Sequence, residues 1–375
     1  MVIMKMKRKI IVIILILAGV LLAGCVSKPA EVQPTTVQPT KAPETITLIG
    51  AGATFPYPLL SKWSSEYNKI NPNIQINYQS VGSGAGIQQI TARTVNFGAT
   101  DAPLTEQEFS SVSGILQIPE TTGAVVVAYN LPGIQKGVKL SGDVVADIFL
   151  GKINKWNDPR ITLINPDIQF PDKEIIVVHR SDGSGTTFVF TDYLSAVSPD
   201  WKSKVGKGKS VNWPVGLGGK GNEGVSGLLS KNPKSQNNYT IGYVELAFAK
   251  LQNIPYAYIK NKAGKFIEPT LETTASAAAG AVPNLPAGDA SWSSVSIVDA
   301  PGDNSYPIGS FTYLLVYKDQ TDNTNGKALA EFLWWAVHDG QKYSSDLLYV
   351  PLPEQVISLN EKTIRLMNYN GQPII

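Results

Sequence analysis

Three stretches of this chain share one construction: a run of β-formers, a loop of glycine and hydroxyl residues, then the opening of a helical pattern. They are Leu48–Phe55 (LIGAGATF), Tyr78–Gly86 (YQSVGSGAG) and Val177–Phe188 (VVHRSDGSGTTF). Leu59, Leu60, Trp63, Tyr67 and Ile70 recur at helical spacing after the first, and Ile87 and Ile90 after the second. AVVVAYNLP, EIIVVHR, TIGYVEL and FTYLLVYKD read as further strands, Gly326–Gly340 and a stretch from near Pro353 as further helices. Strands alternating with helices imply an α/β architecture with largely parallel sheets.

The same junctions suggest chemistry. At a helix N-terminus, free backbone N–H groups and the positive end of the helix dipole make an anion site. Glycine lets the backbone come close to a ligand, and serine or threonine adds a side-chain donor. In an open α/β sheet these loops meet at the carboxyl ends of the strands, where ligands bind. One such loop could be a helix cap and nothing more. Three together, one of them carrying Arg180, favour an oxyanion site.

Composition narrows the partners. The chain has 375 residues, enough for two domains, and its 43% hydrophobic and 17% charged content is that of a globular protein. A formal charge of +2 suggests neither nucleic acid nor an anionic membrane as an electrostatic partner. The first residues differ: Lys5, Lys7, Arg8 and Lys9 precede the apolar run Ile10–Leu22, which ends in Leu22-Ala23-Gly24-Cys25. That run is short for a membrane span of about 20 residues and suits a secretion signal over residues 1–24. Its end resembles the lipobox of secreted lipoproteins, which implies acylation of Cys25. Losing those four basic residues takes the formal charge from +2 to −2. Cys25 is the one cysteine, so no disulfide is available and the core alone must hold the fold. Residues 25–43 carry Pro29, Pro34, Pro39 and Pro43 and read as an extended tether. Ala275–Gly288 (ASAAAGAVPNLPAG) reads as a low-complexity surface excursion, and Asn238-Tyr239-Thr240 fits a glycosylation sequon.

Several catalytic classes lack their residues. Gly208-Lys209-Ser210 ends like a phosphate-binding P-loop, but Ser203 occupies the position of its first glycine, and Lys220 is followed by glycine. His179 and His338 are the only histidines, so no metal site is expected. None of Ser83, Ser184 or Ser226 has both glycines of a nucleophile elbow. His179 and Arg180 point to opposite faces of a strand, which makes His179 a packed or surface residue and not a general base.

GAGATFPYPLLSKW, VGSGAGIQQI, VNFGATDAPLT, LGKINKWNDP, RSDGSGTTFVFTDYL, WPVGLGGKGNEGV and IGYVELAFAK occur in this order. From about Ile46 to near the C-terminus the chain resembles the phosphate-binding proteins that feed ABC-type phosphate importers. The resemblance implies an α/β, type II periplasmic-binding-protein-like clamp of mixed, mostly parallel sheets. Residues 44–121 and 306–375 would form domain I and residues 122–305 domain II, with inorganic phosphate in the cleft. It implies anion contacts from Thr54 and Phe55, Ser83, Asp101, Arg180, and Ser184, Gly185 and Thr186, with Asp182 orienting Arg180. It further implies a monomer, lipid-anchored outside the cell membrane, that serves permease subunits without cofactor, catalysis or nucleic acid.

Asp101 carries the specificity argument. A carboxylate beside an anion is reasonable only where the guest brings a proton. The P–OH of phosphate can donate to it, and fully ionised sulfate cannot. A site built on such a bond can reject an analogue lacking it by about 10⁴ to 10⁵. Two alternatives stay open: a receptor for sulfate, molybdate or tungstate, and a secreted phosphoesterase with Ser184 or Thr186 as nucleophile.

Overall fold

The computed structural model describes residues 45–135, 137–230 and 238–375. The expected signal segment, the Cys25 lipidation site and the tether lie outside the described residues.

β1 (Ile46–Gly52) leads into α1 (Tyr57–Ile70), which buries Leu59, Leu60, Trp63 and Tyr67 on one stripe. β2 (Ile74–Ser80), α2 (Ser83–Thr91), β3 (Phe97–Thr100) and α3 (Glu106–Ser111) follow. The long β4 (Ile115–Asn130) is buried at every position. Next come β5 (Lys139–Leu140), α4 (Gly142–Phe149), α5 (Pro159–Thr162), β6 (Ile176–Arg180) and α6 (Gly185–Val197). α7 (Pro199–Lys204), β7 (Leu217–Gly219), α8 (Gly221–Leu229), β8 (Thr240–Glu245) and α9 (Leu246–Leu251) complete the middle. β9 (Tyr258–Lys260) pairs with both β5 and β10 (Phe266–Ile267) in a small sheet. α10 (Leu271–Ala279), β11 (Gly309–Tyr317), α11 (Asn323–Val337) and α12 (Glu354–Ile364) follow, and the strands Asn368–Tyr369 and Gln372–Pro373 close the chain.

The main sheet has the order β2-β1-β3-β11-β4-β8-β6-β7. β1 runs parallel to β2 and β3, and β6 runs parallel to β7 and β8. β11 is antiparallel to β3 and β4, and β4 is antiparallel to β8. β4 thus belongs to two neighbourhoods: Ile115–Ala124 pairs with β11 and Val125–Asn130 with β8. Following these directions, β3 runs the same way as β4, and β8 the opposite way. The carboxyl ends of β1 and β3 therefore point towards those of β6 and β8 across the middle of β4. The register agrees, with Tyr313 joining Thr100 to Pro119 and Glu245 opposite Val125.

Aromatic side chains fill both parts of the sheet's flanks. Tyr67, Phe97, Phe332 and Trp335 pack together near α1 and α11, and Phe149, Phe190, Trp213 and Tyr243 near α4 and α6. Apolar burial of this kind, with no described crosslink, holds the fold.

One expectation needs correction. Ala275–Gly288 is not simply a surface excursion. Its first part lies in α10, which starts with a Thr270–Thr273 capping box and buries Thr274, Ala277 and Ala278. Repeated alanine looks featureless in a sequence, yet it has the best helix propensity and lets a helix pack closely.

Candidate functional site: a buried donor cluster between two walls

The first wall comes from the ends of β1 and β3 and the start of α2. Thr54 follows β1, and its buried Oγ1 accepts from the Asn222 backbone N–H at 3.1 Å and from Asn222 Nδ2 at 2.9 Å. Phe55 packs its ring into the core and accepts from Tyr349 Oη at 2.7 Å through its carbonyl, so only its backbone faces the loop. Gly82 precedes α2 with φ +96°, a conformation that favours glycine, and brings the chain round to place Ser83 at the first turn. Ser83 Oγ accepts from Gly185 N at 3.0 Å and from Asp101 N at 3.3 Å.

Asp101 follows β3 directly and is 1% exposed. Its Oδ2 accepts from Thr186 Oγ1 at 3.3 Å, and its Oδ1 lies 3.4 Å from Thr312 Oγ1. Burial pushes its pKa up to about 7, against the pull of the Arg180 charge and the bonds from Thr186 and Thr312.

The second wall comes from the end of β6 and the start of α6. Arg180 is the last residue of β6 and is almost fully buried. Its Nε and Nη2 donate to the two carboxylate oxygens of Asp182 at 2.8 and 2.5 Å, and Nη1 donates to Thr186 Oγ1 at 3.3 Å. Asp182 also accepts from Gly221 N at 3.0 Å. Partial burial works to raise Asp182, but the Arg180 hydrogen bonds and charge outweigh it and hold the carboxyl below its ordinary value. Ser184 caps α6, accepting from Thr187 N at 3.0 Å. Gly185 is sterically required here: a Cβ would come within 2.6 Å of Asp101 and of Ser83 Oγ.

The walls touch through these residues. Gly84 N donates to Gly183 O at 2.9 Å, Gly185 N reaches Ser83, and Thr186 reaches Asp101. A guanidinium, a high-pKa carboxyl, hydroxyls and two helix N-termini thus meet in one buried hydrogen-bonded network, a set of groups that suits a small protonated oxyanion.

The structure brings Thr54, Ser83, Asp101, Arg180, Gly185 and Thr186 into one bonded network, with Ser184 and the Phe55 backbone beside it. Sequence reasoning passed over Asn222, which bridges Thr54 and Thr186 at 2.9 and 3.3 Å and accepts from Glu245 N at 3.1 Å. It also passed over Thr312 and Glu120. Asn222 stood in a motif already noted, KGNEG, and Glu120 is a charge inside an otherwise strand-like run. His179 stacks on Trp213 at 4.8 Å, and its Nδ1 lies 3.0 Å from the Arg180 carbonyl oxygen, a packing role. Among the described residues no group of three or more His, Cys, Asp or Glu could hold a metal ion. No helix among them is long and apolar enough to cross a membrane.

Fold and site together define a binding-protein clamp, and a family model for the PBP superfamily domain matches residues 37–339. A phosphate-binding protein PstS of Pasteurella multocida is 48% identical over 317 residues, covering 83% of this chain and 88% of the relative. One from Methanocaldococcus jannaschii is 41% identical, covering 97% of this chain and 96% of its own length. The chain belongs to the PstS family of phosphate-binding proteins. Among solved structures, a phosphate-binding protein from Stenotrophomonas maltophilia shares the fold with a TM-score of 0.62 at 17% identity, covering 84% of this chain and 94% of that one.

Proposed function

We propose that this chain captures inorganic phosphate between its two walls and delivers it to the membrane subunits of an ABC importer. Thr54, the Phe55 amide, Ser83, Arg180, Ser184, Gly185 and Thr186 supply the donors, and Asp101 accepts the proton on the P–OH. Asp182 orients Arg180 and offsets its charge. The observation that carries the reading is the placement of Asp101 and Arg180 on one hydroxyl, Thr186 Oγ1, at 3.3 Å each. An acceptor and a cation that converge on one point suit an anion that is also a donor.

Charge-assisted hydrogen bonds contribute roughly 1.5–3 kcal/mol each, so a handful exceeds the about 8 kcal/mol that micromolar binding needs before association entropy is subtracted. The clamp divides into residues 44–121 with 306–375, and residues 122–305, and closes by a hinge motion. β4 supports this reading because it pairs with strands of both parts. Cys25 anchors the chain outside the cell membrane, and it acts as a monomer.

Phosphate and sulfate titrations, on the wild type and on Asp101→Asn, test the assignment. Discrimination of about 10⁴ in the wild type should shrink by at least about a hundredfold in the variant, whose amide can donate to sulfate. Equal selectivity in the two proteins would overturn the role of Asp101. A wild type that preferred sulfate, molybdate or tungstate would overturn the ligand. Phosphoester cleavage has less support, because the Ser184 hydroxyl caps α6.

A further inference from the structure

Glu120 is a carboxyl that the binding scheme leaves unused. It lies where the pairing of β4 with β11 slips: Tyr313 faces Pro119 and Thr312 faces Thr121, so Glu120 is the extra residue of a β-bulge. A bulge bends its strand and re-aims the side chain that it carries. Glu120 Oε1 lies 3.0 Å from Thr312 Oγ1, and Thr312 Oγ1 lies 3.4 Å from both Asp101 Oδ1 and the Thr100 carbonyl oxygen. The carboxyl is fully buried, and its Oε2 has no hydrogen-bond partner among the described residues.

Proton counting separates two arrangements. A threonine hydroxyl has one hydrogen to give. With Glu120 ionised, that hydrogen goes to the nearer carboxylate, Asp101 loses it, and a buried anion keeps a bare oxygen at high cost. With a proton on Oε1, Glu120 donates to Thr312, whose own hydrogen is then free for Asp101, a stronger acceptor than the equidistant Thr100 carbonyl because it carries charge. The second arrangement satisfies more groups. Burial favours it too, pushing Glu120 up to about 8, with the Thr312 bond opposing and the Asp101 charge adding. The titratable groups that interact with Glu120 are Asp101 and the phenols of Tyr78 and Tyr349, and burial raises both phenols well above their ordinary values. Arg180 acts on Asp101 from the opposite wall.

We infer that Glu120 is a positioning residue held as a neutral acid, which turns the Thr312 hydroxyl onto Asp101 and leaves the outer Asp101 lone pairs for the P–OH of phosphate. The inference rests on the phosphate reading. Its consequence is an alkaline limit on binding. Once Glu120 ionises, Asp101 loses a donor and gains a buried negative neighbour, so anion binding weakens.

Phosphate titrations from about pH 6 to about pH 9.5 test this, since phosphate is already the dianion over the upper part of that range. Wild-type affinity should fall about tenfold or more as pH rises through the Glu120 transition. Glu120→Gln, whose amide can donate to Thr312 without ionising, should follow the wild type through the Asp101 and phosphate transitions near pH 7 and lack the further fall above about pH 8. Superimposable profiles would overturn the inference. Should the glutamine variant not fold, infrared spectra decide, taken on the wild type and on Asp101→Asn so that the Asp101 carboxyl is not counted. The carbonyl band of a protonated acid should be present at neutral pH and vanish over the same range as the affinity. Absence of that band would also overturn the inference. A wild type that binds phosphate at no pH would sink the phosphate reading itself, and the infrared band would still report the state of Glu120.

Discussion

The two walls of the candidate site are built from the same parts and end with opposite electrostatics. Each sets loops at the carboxyl ends of strands against a helix N-terminus, and each places an aspartate there. On the β6–α6 wall, Asp182 is bound by Arg180 and held below its ordinary pKa. On the β1–β3 wall, Asp101 is shut away from water and pushed up to about 7. Sequence position does not distinguish the two carboxyls; the presence of a cation within bonding distance does. One wall supplies charge that is already balanced, and the other supplies an acceptor that holds protons tightly. In the proposed scheme, a guest that is both anion and donor meets each of them.

Removing the cation should break this contrast most severely. Arg180→Ala leaves Asp182 without its partner and should weaken phosphate binding by at least about a hundredfold in titration calorimetry. An unchanged dissociation constant would place the ligand elsewhere. Gly185→Ala tests whether the walls must meet, because its Cβ would press on Asp101 and Ser83. A loss of about tenfold to a hundredfold in phosphate affinity is expected.

The high-pKa wall also predicts a pH dependence of stability. Asp101 and Glu120 have folded values of about 7 and about 8. The folded state thus keeps protons that the unfolded chain sheds from about pH 4 upwards. Their contribution is complete below that pH and is lost as pH rises through 7 and 8. The ligand-free melting temperature should therefore decline from about pH 5 to above pH 8, and the decline should be shallower in Glu120→Gln. A rising melting temperature over that range would contradict both shifts.

The smallest effect belongs to the rim. Lys209 Nζ and Glu108 Oε2 pair across the walls at 2.6 Å, partly exposed to solvent. Glu108→Gln should weaken phosphate binding by no more than about fivefold, and high salt should erase the difference.

The sequence exposed the junction loops because they break two periodicities at once, the alternation of a strand and the spacing of a helix. Arg180 could be found because a charge in such a loop stands out, and Asp101 because it lies in the family motif VNFGATDAPLT. Asn222 was harder, since its bridging bonds to Thr54 and Thr186 join residues far apart in the chain. Thr312 sits in a β-run where a polar residue signals nothing special. Glu120 was the least legible: its aim depends on a register slip between two strands, and no local pattern encodes that. α10 was misread for the converse reason, because an alanine run declares a helix only when it finds a surface to pack on.

By itself the sequence determined the alternating architecture, the family and the inventory of donors, since periodicity and loop chemistry are properties of neighbouring residues. The tertiary structure decided which aspartate is paired with a cation and which is a buried acceptor with a raised pKa. That choice depends on burial and on the distance to Arg180, and both are fixed only when β4 draws the two sets of strand ends together.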